Sequence, residues 1–190
     1  MGCIDMNPWY SRVDRPDRPD FVLFDLDPTP EVPWSQTIEV ALLVRELLAA
    51  IGLESFPKTS GGKGFHILVP LDRRSTYAQS RTFAEHVAAA IAGMRPELAT
   101  TQWSKARRRG VLIDANQNGE GKTIASAYSV RPHPGAPVST PLEWEEVVPE
   151  LDPAVFTLAT VPPRIERLGD LHAPLLTTRQ SLSKALARLT

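Results

Sequence analysis

At 190 residues, 42% of them hydrophobic and 23% charged, the chain can bury one substantial core and is too apolar to be disordered. A formal net charge of −1 excludes a globally basic protein, so a polyanionic partner would have to be met by local clusters. The single cysteine, Cys3, excludes an intramolecular disulfide. With no apolar run near the roughly 18 residues of a membrane span and no leader pattern, the chain reads as a soluble cytoplasmic domain.

In chain order, residues 1–7 suggest a short extended segment that needs neighbours to pair with. Residues 8–20, with Pro8, Pro16 and Pro19 among charges, suggest a loop. Residues 21–26 form an apolar run that ends in Asp-Leu-Asp-Pro, a buried strand stopped by Pro28. Ser35 is a candidate N-cap for a helix carrying Ile38, Ala41, Leu42, Leu48 and Ile51 at helical spacing and closed by Gly52. Residues 53–59 and 65–70 pattern as strands joined by the turn Ser60-Gly61-Gly62-Lys63-Gly64. A second helix is predicted over 77–92, with Phe83, Val87, Ala90 and Ile91 on one side and Gly93 as its stop. Residues 111–114 and 123–129 pattern as two more strands, and residues from Pro132 onward as turns with a helical end over 181–189.

This order predicts an α+β fold of the split βαβ, ferredoxin-like kind, with a mostly antiparallel sheet and helices on one face. The other face is left to carry a site. The chain divides as one catalytic domain over 1–190: an N-terminal strand and loop (1–20), a core (21–130) and a C-terminal extension (131–190).

Asp25 and Asp27 stand at i and i+2 on a strand and so project from one sheet face, opposite Phe24 and Leu26. Two such carboxylates repel unless a proton or a cation intervenes, and a hard divalent ion with oxygen ligands is the usual resolution. The plain alternative is a turn-capping aspartate beside an exposed one. Asp114 ends another short apolar strand, and three convergent carboxylates suit a pair of metal ions for phosphoryl transfer. In the segment Lys58-Thr59-Ser60-Gly61-Gly62-Lys63-Gly64-Phe65-His66, glycines permit close backbone approach. Exposed amides there can cradle phosphate, Lys63 adds a charge, and His66 is placed to bond a phosphate. It is not a Walker loop, because the spacing differs and no helix follows; an ordinary glycine hairpin is the alternative.

Lys105, Arg107, Arg108 and Arg109 lead into the Asp114 strand, and Lys122 and Arg131 follow it. Such a run is usually a solvated face, but beside a carboxylate centre it suits a triphosphate or a nucleic-acid backbone. Trp9, Trp34 and Trp103 are capable of base stacking, though core burial is the expected role. His86 is expected to be structural, His133 and His172 fall in loops without an evident partner, and a zinc site is not expected.

Four ordered segments carry a family resemblance: Phe24-Asp25-Leu26-Asp27-Pro28, Lys58 to His66, Asp114-Ala115-Asn116-Gln117-Asn118 and Tyr128-Ser129-Val130-Arg131-Pro132. With the Gly135 to Trp144 stretch, they resemble the polymerase domain of bacterial DNA ligase D, in the archaeo-eukaryotic primase superfamily, over nearly the whole chain. The resemblance implies Asp25, Asp27 and Asp114 as ligands of two Mn2+ or Mg2+ ions. It implies Ser60, Lys63 and His66 as triphosphate contacts, and Arg107, Gln117, Lys122 and Arg131 as the rest of the nucleotide pocket. It further implies gap filling or end extension on DNA primer-templates from nucleoside triphosphates, often ribonucleotides. The setting would be bacterial non-homologous end joining near the nucleoid, with a Ku protein and a ligase as partners. The sequence departs from the family pattern in two ways: it is shorter at the N-terminus, where relatives hold a DNA 5′-phosphate, and Asn7 stands where many have a histidine associated with sugar contact.

Two other readings use the same residues. Asp25-Leu26-Asp27-Pro28-Thr29 also fits a haloacid-dehalogenase phosphatase, with Asp25 as nucleophile and Asp27 as acid/base, but that fold requires a parallel sheet and a further acidic pair, and Asp170 stands alone. A non-catalytic nucleic-acid-binding module of the same fold would keep the basic residues and need no carboxylate cluster.

Overall fold

A computed structural model describes residues 3–189. The chain forms β1 (Phe21–Pro28), α1 (Trp34–Ala50), β2 (Phe56–Thr59), β3 (Phe65–Pro70), α2 (Tyr77–Met94), β4 (Ala99–Thr100) and β5 (Val111–Asp114). The helices α3 (Val161–Leu168), α4 (Ala173–Thr177) and α5 (Leu182–Leu189) follow. The sheet has five strands in the order β2-β3-β1-β5-β4, antiparallel except for the β4–β5 pair. β1 is antiparallel to both neighbours, which removes the parallel sheet that the phosphatase reading requires.

The period-2 pattern of β1 separates the two faces. Val22, Phe24 and Leu26 are fully buried with Phe65, Ile67 and Val69 of β3 against α1 and α2, whereas Leu23 joins Tyr10, Leu68, Ile124 and Leu175 on the opposite face. Phe83 of α2 meets Phe24 edge-on, with ring centroids 6.3 Å apart. Full burial of such a ring contributes about 2–3 kcal/mol. Among the described residues, no helix is long and apolar enough to cross a membrane.

Helix ends depart from expectation in ways that local chemistry explains. Pro33, not Ser35, holds the N-cap of α1, without a side-chain bond. Gly52, at φ 80°, closes the helix as expected: its N–H bonds Ala49 and that of Leu53 bonds Leu48, the paired pattern of a glycine C-terminus. α2 begins with a reciprocal Thr76–Gln79 capping box and runs through Gly93 to Met94, so Gly93 does not stop it; Ala90 faces solvent.

The predicted strand at 123–129 does not form. Thr123 makes a single bridge to Trp9, the amides of Ile124 and Ser126 bond Pro8 and Met6, and Tyr128 at φ 64° turns the chain before a ladder can develop. The fifth strand is instead the short β4, parallel to β5. The extended N-terminal segment thus finds its neighbour in residues 123–126, with Met1 and Gly2 outside the described residues. Trp9 and Trp103 are 60% and 59% exposed, contrary to the expectation of core burial, while Trp34 packs against the core.

Candidate active site

Strand register builds the site. Lys58 on β2 pairs with His66 on β3, His66 with Asp25 on β1, and Asp25 with Asp114 on β5. Four polar side chains thus form one row across four strands, on the face that Leu23 and Leu68 share and opposite the helices. Asp27 stands two residues further along β1.

The basic end of the row is sealed. Residues 139–142 run beside β2, with Lys58 bridged to Pro141 and the Thr59 N–H donating to Thr140 O at 3.0 Å, so the edge of β2 is covered. Lys58 is 2% exposed. Its Nζ donates to Ala125 O at 2.9 Å and to Ser139 Oγ, and lies 2.8 Å from His66 Nδ1. Burial pushes Lys58 down to about 7, against the pull of the Asp25 charge. His66 Nε2 lies 3.4 Å from Asp25 Oδ1. Burial, followed by the Lys58 charge, pushes His66 down to about 4.

That depression sets a pH dependence. An unfolded chain takes up the imidazole proton at about 6.5, whereas the folded chain takes it up only at about 4. Between those values the unfolded state binds more protons, so stability present above 6.5 is lost as pH falls through 4. His66→Gln should flatten this part of a melting-temperature profile against pH.

At the acidic end, Asp114 is 4% exposed and its Oδ1 accepts from the Asn116 N–H at 2.9 Å. Burial raises its carboxyl above the ordinary range, and the facing Asp25 adds to this against the Asn116 bond. Asp27 has a different partner: Arg108 Nη1 bonds its Oδ2 at 2.6 Å. Among the described residues, no three of His, Cys, Asp and Glu stand close enough to share one ion. Asp25 and Asp114 are register partners across β1 and β5, while Asp27 stands two residues along β1 and is bonded by Arg108. By chemistry the donor set fits a hard divalent ion, because two opposed carboxylates, one buried and without a salt-bridge partner among the described residues, are relieved by such a cation.

Arg108 is 5% exposed while Arg107 points to solvent, so the turn through residues 104–108 presents the second of these arginines to Asp27. Arg108→Ala is expected to cost about 1 kcal/mol, below the roughly 1.5–3 kcal/mol of a charged hydrogen bond because Asp27 is half exposed. Arg107→Ala should stay within about 0.5 kcal/mol; urea melts of both variants check the difference.

The glycine turn frames a cleft of about 220 Å³ lined by Asp25, Ser60, Gly62, His66, Gln117 and Arg131, with Asn7 at its edge. Ser60 Oγ accepts from the Gly62 and Gly64 amides at 3.1 and 3.0 Å, so two amides of the expected cradle are turned inward. Lys63 is exposed on the other side of the turn, over a separate recess of about 530 Å³ beside His133 and Pro137. Lys122 is exposed and outside the cleft. Arg131 contacts Asp5 at 3.5 Å. Sequence reasoning missed the burial of Lys58 and the roles of Ser139 and Ala125. Its only available signal was a lysine on a short strand directly before the turn.

Comparison with known proteins identifies the family. The family model for the primase-polymerase domain of LigD matches residues 1–172. The multifunctional non-homologous end joining protein LigD of Pseudomonas aeruginosa is 36% identical over 191 residues, covering 99% of this chain and 23% of that protein. The corresponding Mycobacterium tuberculosis protein is 40% identical over 153 residues, covering 79% and 20%. The polymerase domain of Mycobacterium tuberculosis ligase D, solved in complex with DNA, superposes with a TM-score of 0.80 at 37% identity, covering 86% of this chain and 57% of that one. The chain therefore spans about a quarter of the length of these curated relatives or less. With the family match running through the carboxylate strand, the glycine turn and the Asp114 strand alike, the chain belongs to the LigD primase-polymerase family.

Proposed function

We propose that the chain is a DNA-dependent nucleotidyltransferase that adds nucleotides to a primer 3′-hydroxyl, filling gaps or extending ends in bacterial non-homologous end joining. One observation carries this reading: Asp25 and Asp114 face each other across β1 and β5 beside a cleft walled by the glycine turn, His66 and Arg131. Of the two carboxylates Asp25 lines this cleft, and Asp114 is linked to it through the side chain of Gln117.

Asp25, Asp114 and Asp27, once released from Arg108, would hold two divalent ions, manganese or magnesium, which supply Lewis-acid stabilisation to the transferring phosphoryl group. The chain's own groups bind and orient the triphosphate. His66 and Ser60 offer short hydrogen-bonding reach, Arg131 offers a guanidinium fork, and Gln117 spans between the cleft and Asp114. Arg107, Lys63 and Lys122 supply positive charge outside the cleft. At about 220 Å³ the cleft is smaller than the roughly 300–1,000 Å³ of whole-ligand pockets, which suits a triphosphate whose base remains outside to pair with a template. The DNA complex of the Mycobacterium tuberculosis domain supports a DNA primer-template as partner. A Ku protein and a ligase are the further partners of this reading, in keeping with relatives named for end joining.

Primer extension on a short gapped duplex with Mn2+, comparing ribo- and deoxynucleotides, tests the proposal. Template-directed extension that disappears in Asp25→Ala/Asp27→Ala is expected; extension that survives in that variant would refute the carboxylate assignment.

A further inference from the structure

Lys58 is the most deeply buried cation of the site, and it touches neither the cleft nor the carboxylates. Its surroundings constrain where protons lie. Ala125 O can only accept. Ser139 Oγ directs its own hydrogen to Thr59 O at 2.9 Å, so toward Lys58 it accepts. The third neighbour of Nζ is His66 Nδ1 at 2.8 Å. Three acceptors match the three protons of the ammonium that Lys58 carries below a pH of about 7, which requires Nδ1 to present its lone pair and Nε2 to carry the ring proton.

The other end of the ring makes the same demand. Nε2 faces Asp25 Oδ1 at 3.4 Å, where a proton is attracted and a lone pair repelled. The opposite tautomer would set N–H against ammonium and lone pair against carboxylate at once. A hydrogen bond on one ring nitrogen thus decides what the other can do.

We propose that Lys58 is a positioning residue for nucleotidyl transfer: its ammonium locks His66 as a neutral Nε2–H donor directed at the cleft. Its functional consequence rests on the triphosphate reading of the cleft, whereas the lock itself does not. The lock explains a lysine on β2 where an apolar residue would fill the space more cheaply, since burying a cation costs free energy unless each proton is satisfied. An arginine would not substitute, because its planar fork cannot aim three protons at three acceptors around one atom.

The test is long-range proton–nitrogen NMR of the histidine rings in the full chain, with the His66 signals among four histidines identified by their loss in His66→Gln. Between pH values of about 4 and about 7, where the lysine is charged and the imidazole neutral, the wild type should show Nε2–H with a bare Nδ1. Lys58→Met, similar in length and uncharged, should shift His66 toward Nδ1–H and weaken binding of metal-free ATP about tenfold, the scale of one charge-assisted hydrogen bond. Ser139→Thr, which disturbs the same packing but keeps the hydroxyl acceptor and the ammonium, should retain Nε2–H. An Nδ1–H wild type, or an unchanged tautomer in folded Lys58→Met, overturns the proposal. Should Lys58→Met not fold, the wild-type spectrum decides alone. A shifted tautomer with unchanged ATP affinity leaves the lock standing and removes His66 from the triphosphate site.

Discussion

Asp114→Asn is expected to lower nucleotide incorporation by about 10³-fold or more, the scale of losing a metal ligand in phosphoryl transfer, while leaving the fold intact. The substitution is nearly isosteric, and the side-chain oxygen that accepts from the Asn116 N–H is retained. The stability effect has the opposite sign to the activity effect. Burial, with Asp25 opposite, raises the Asp114 carboxyl above its ordinary value, so in the metal-free protein its ionisation favours the unfolded chain. Stability from this group is present at acidic pH and is lost as pH rises through the raised value, so the neutral amide should melt at the same temperature or higher near pH 7. A large activity loss with no loss of melting temperature separates a functional carboxylate from a structural one. A parallel fall in both would indicate that Asp114 supports the fold instead.

Gly61→Ala should damage both stability and the nucleotide site, and Gly62→Ala next to it should not. Gly61 sits at φ 71°, where a side chain costs about 1–2 kcal/mol. Its added methyl would also stand 2.5 Å from Arg131 Cγ and 2.9 Å from the Ser139 backbone nitrogen. The Arg131 side chain can swing away, but the Ser139 backbone is held beside β2, so strain and clash together should reach about 2–4 kcal/mol. Moving Arg131 also removes a cation from the cleft, so the KM for nucleotide should rise. A methyl on Gly62 meets only Ser60 Oγ, at an ordinary 3.6 Å, with His133 Nε2 at 4.0 Å. Thermal melts and steady-state kinetics of the two variants give the comparison; equal effects would mean that the turn acts through flexibility and not through this close approach.

What could be read in advance followed from local pattern. The alternation of Phe24-Asp25-Leu26-Asp27 assigns the faces of β1, and the glycine turn makes β2 and β3 antiparallel neighbours. Together with the run ending at Asp114, these bring His66, Asp25 and Asp114 into one row. What stayed hidden depends on distant partners or on turn phase. Lys58 looks like an ordinary strand lysine until Ala125 and Ser139, 67 and 81 residues away, close over it. Residues 123–129 have strand composition, but Tyr128 takes a positive φ that no periodicity reveals. Which of Arg107 and Arg108 turns inward depends on a tight turn whose phase a run of basic residues does not encode. Trp9 and Trp103 are large apolar residues left at the surface, and hydrophobicity alone does not distinguish an exposed tryptophan from a buried one.

Anomalous diffraction from a crystal containing Mn2+ and a non-hydrolysable nucleoside triphosphate tests directly whether the site carboxylates hold the metal. Manganese is expected between Asp25 and Asp114, with the triphosphate against Ser60, His66 and Arg131 and Asp27 freed from Arg108. Manganese bound elsewhere, or a nucleotide seated away from this cleft while Asp27 keeps its arginine, would contradict that role.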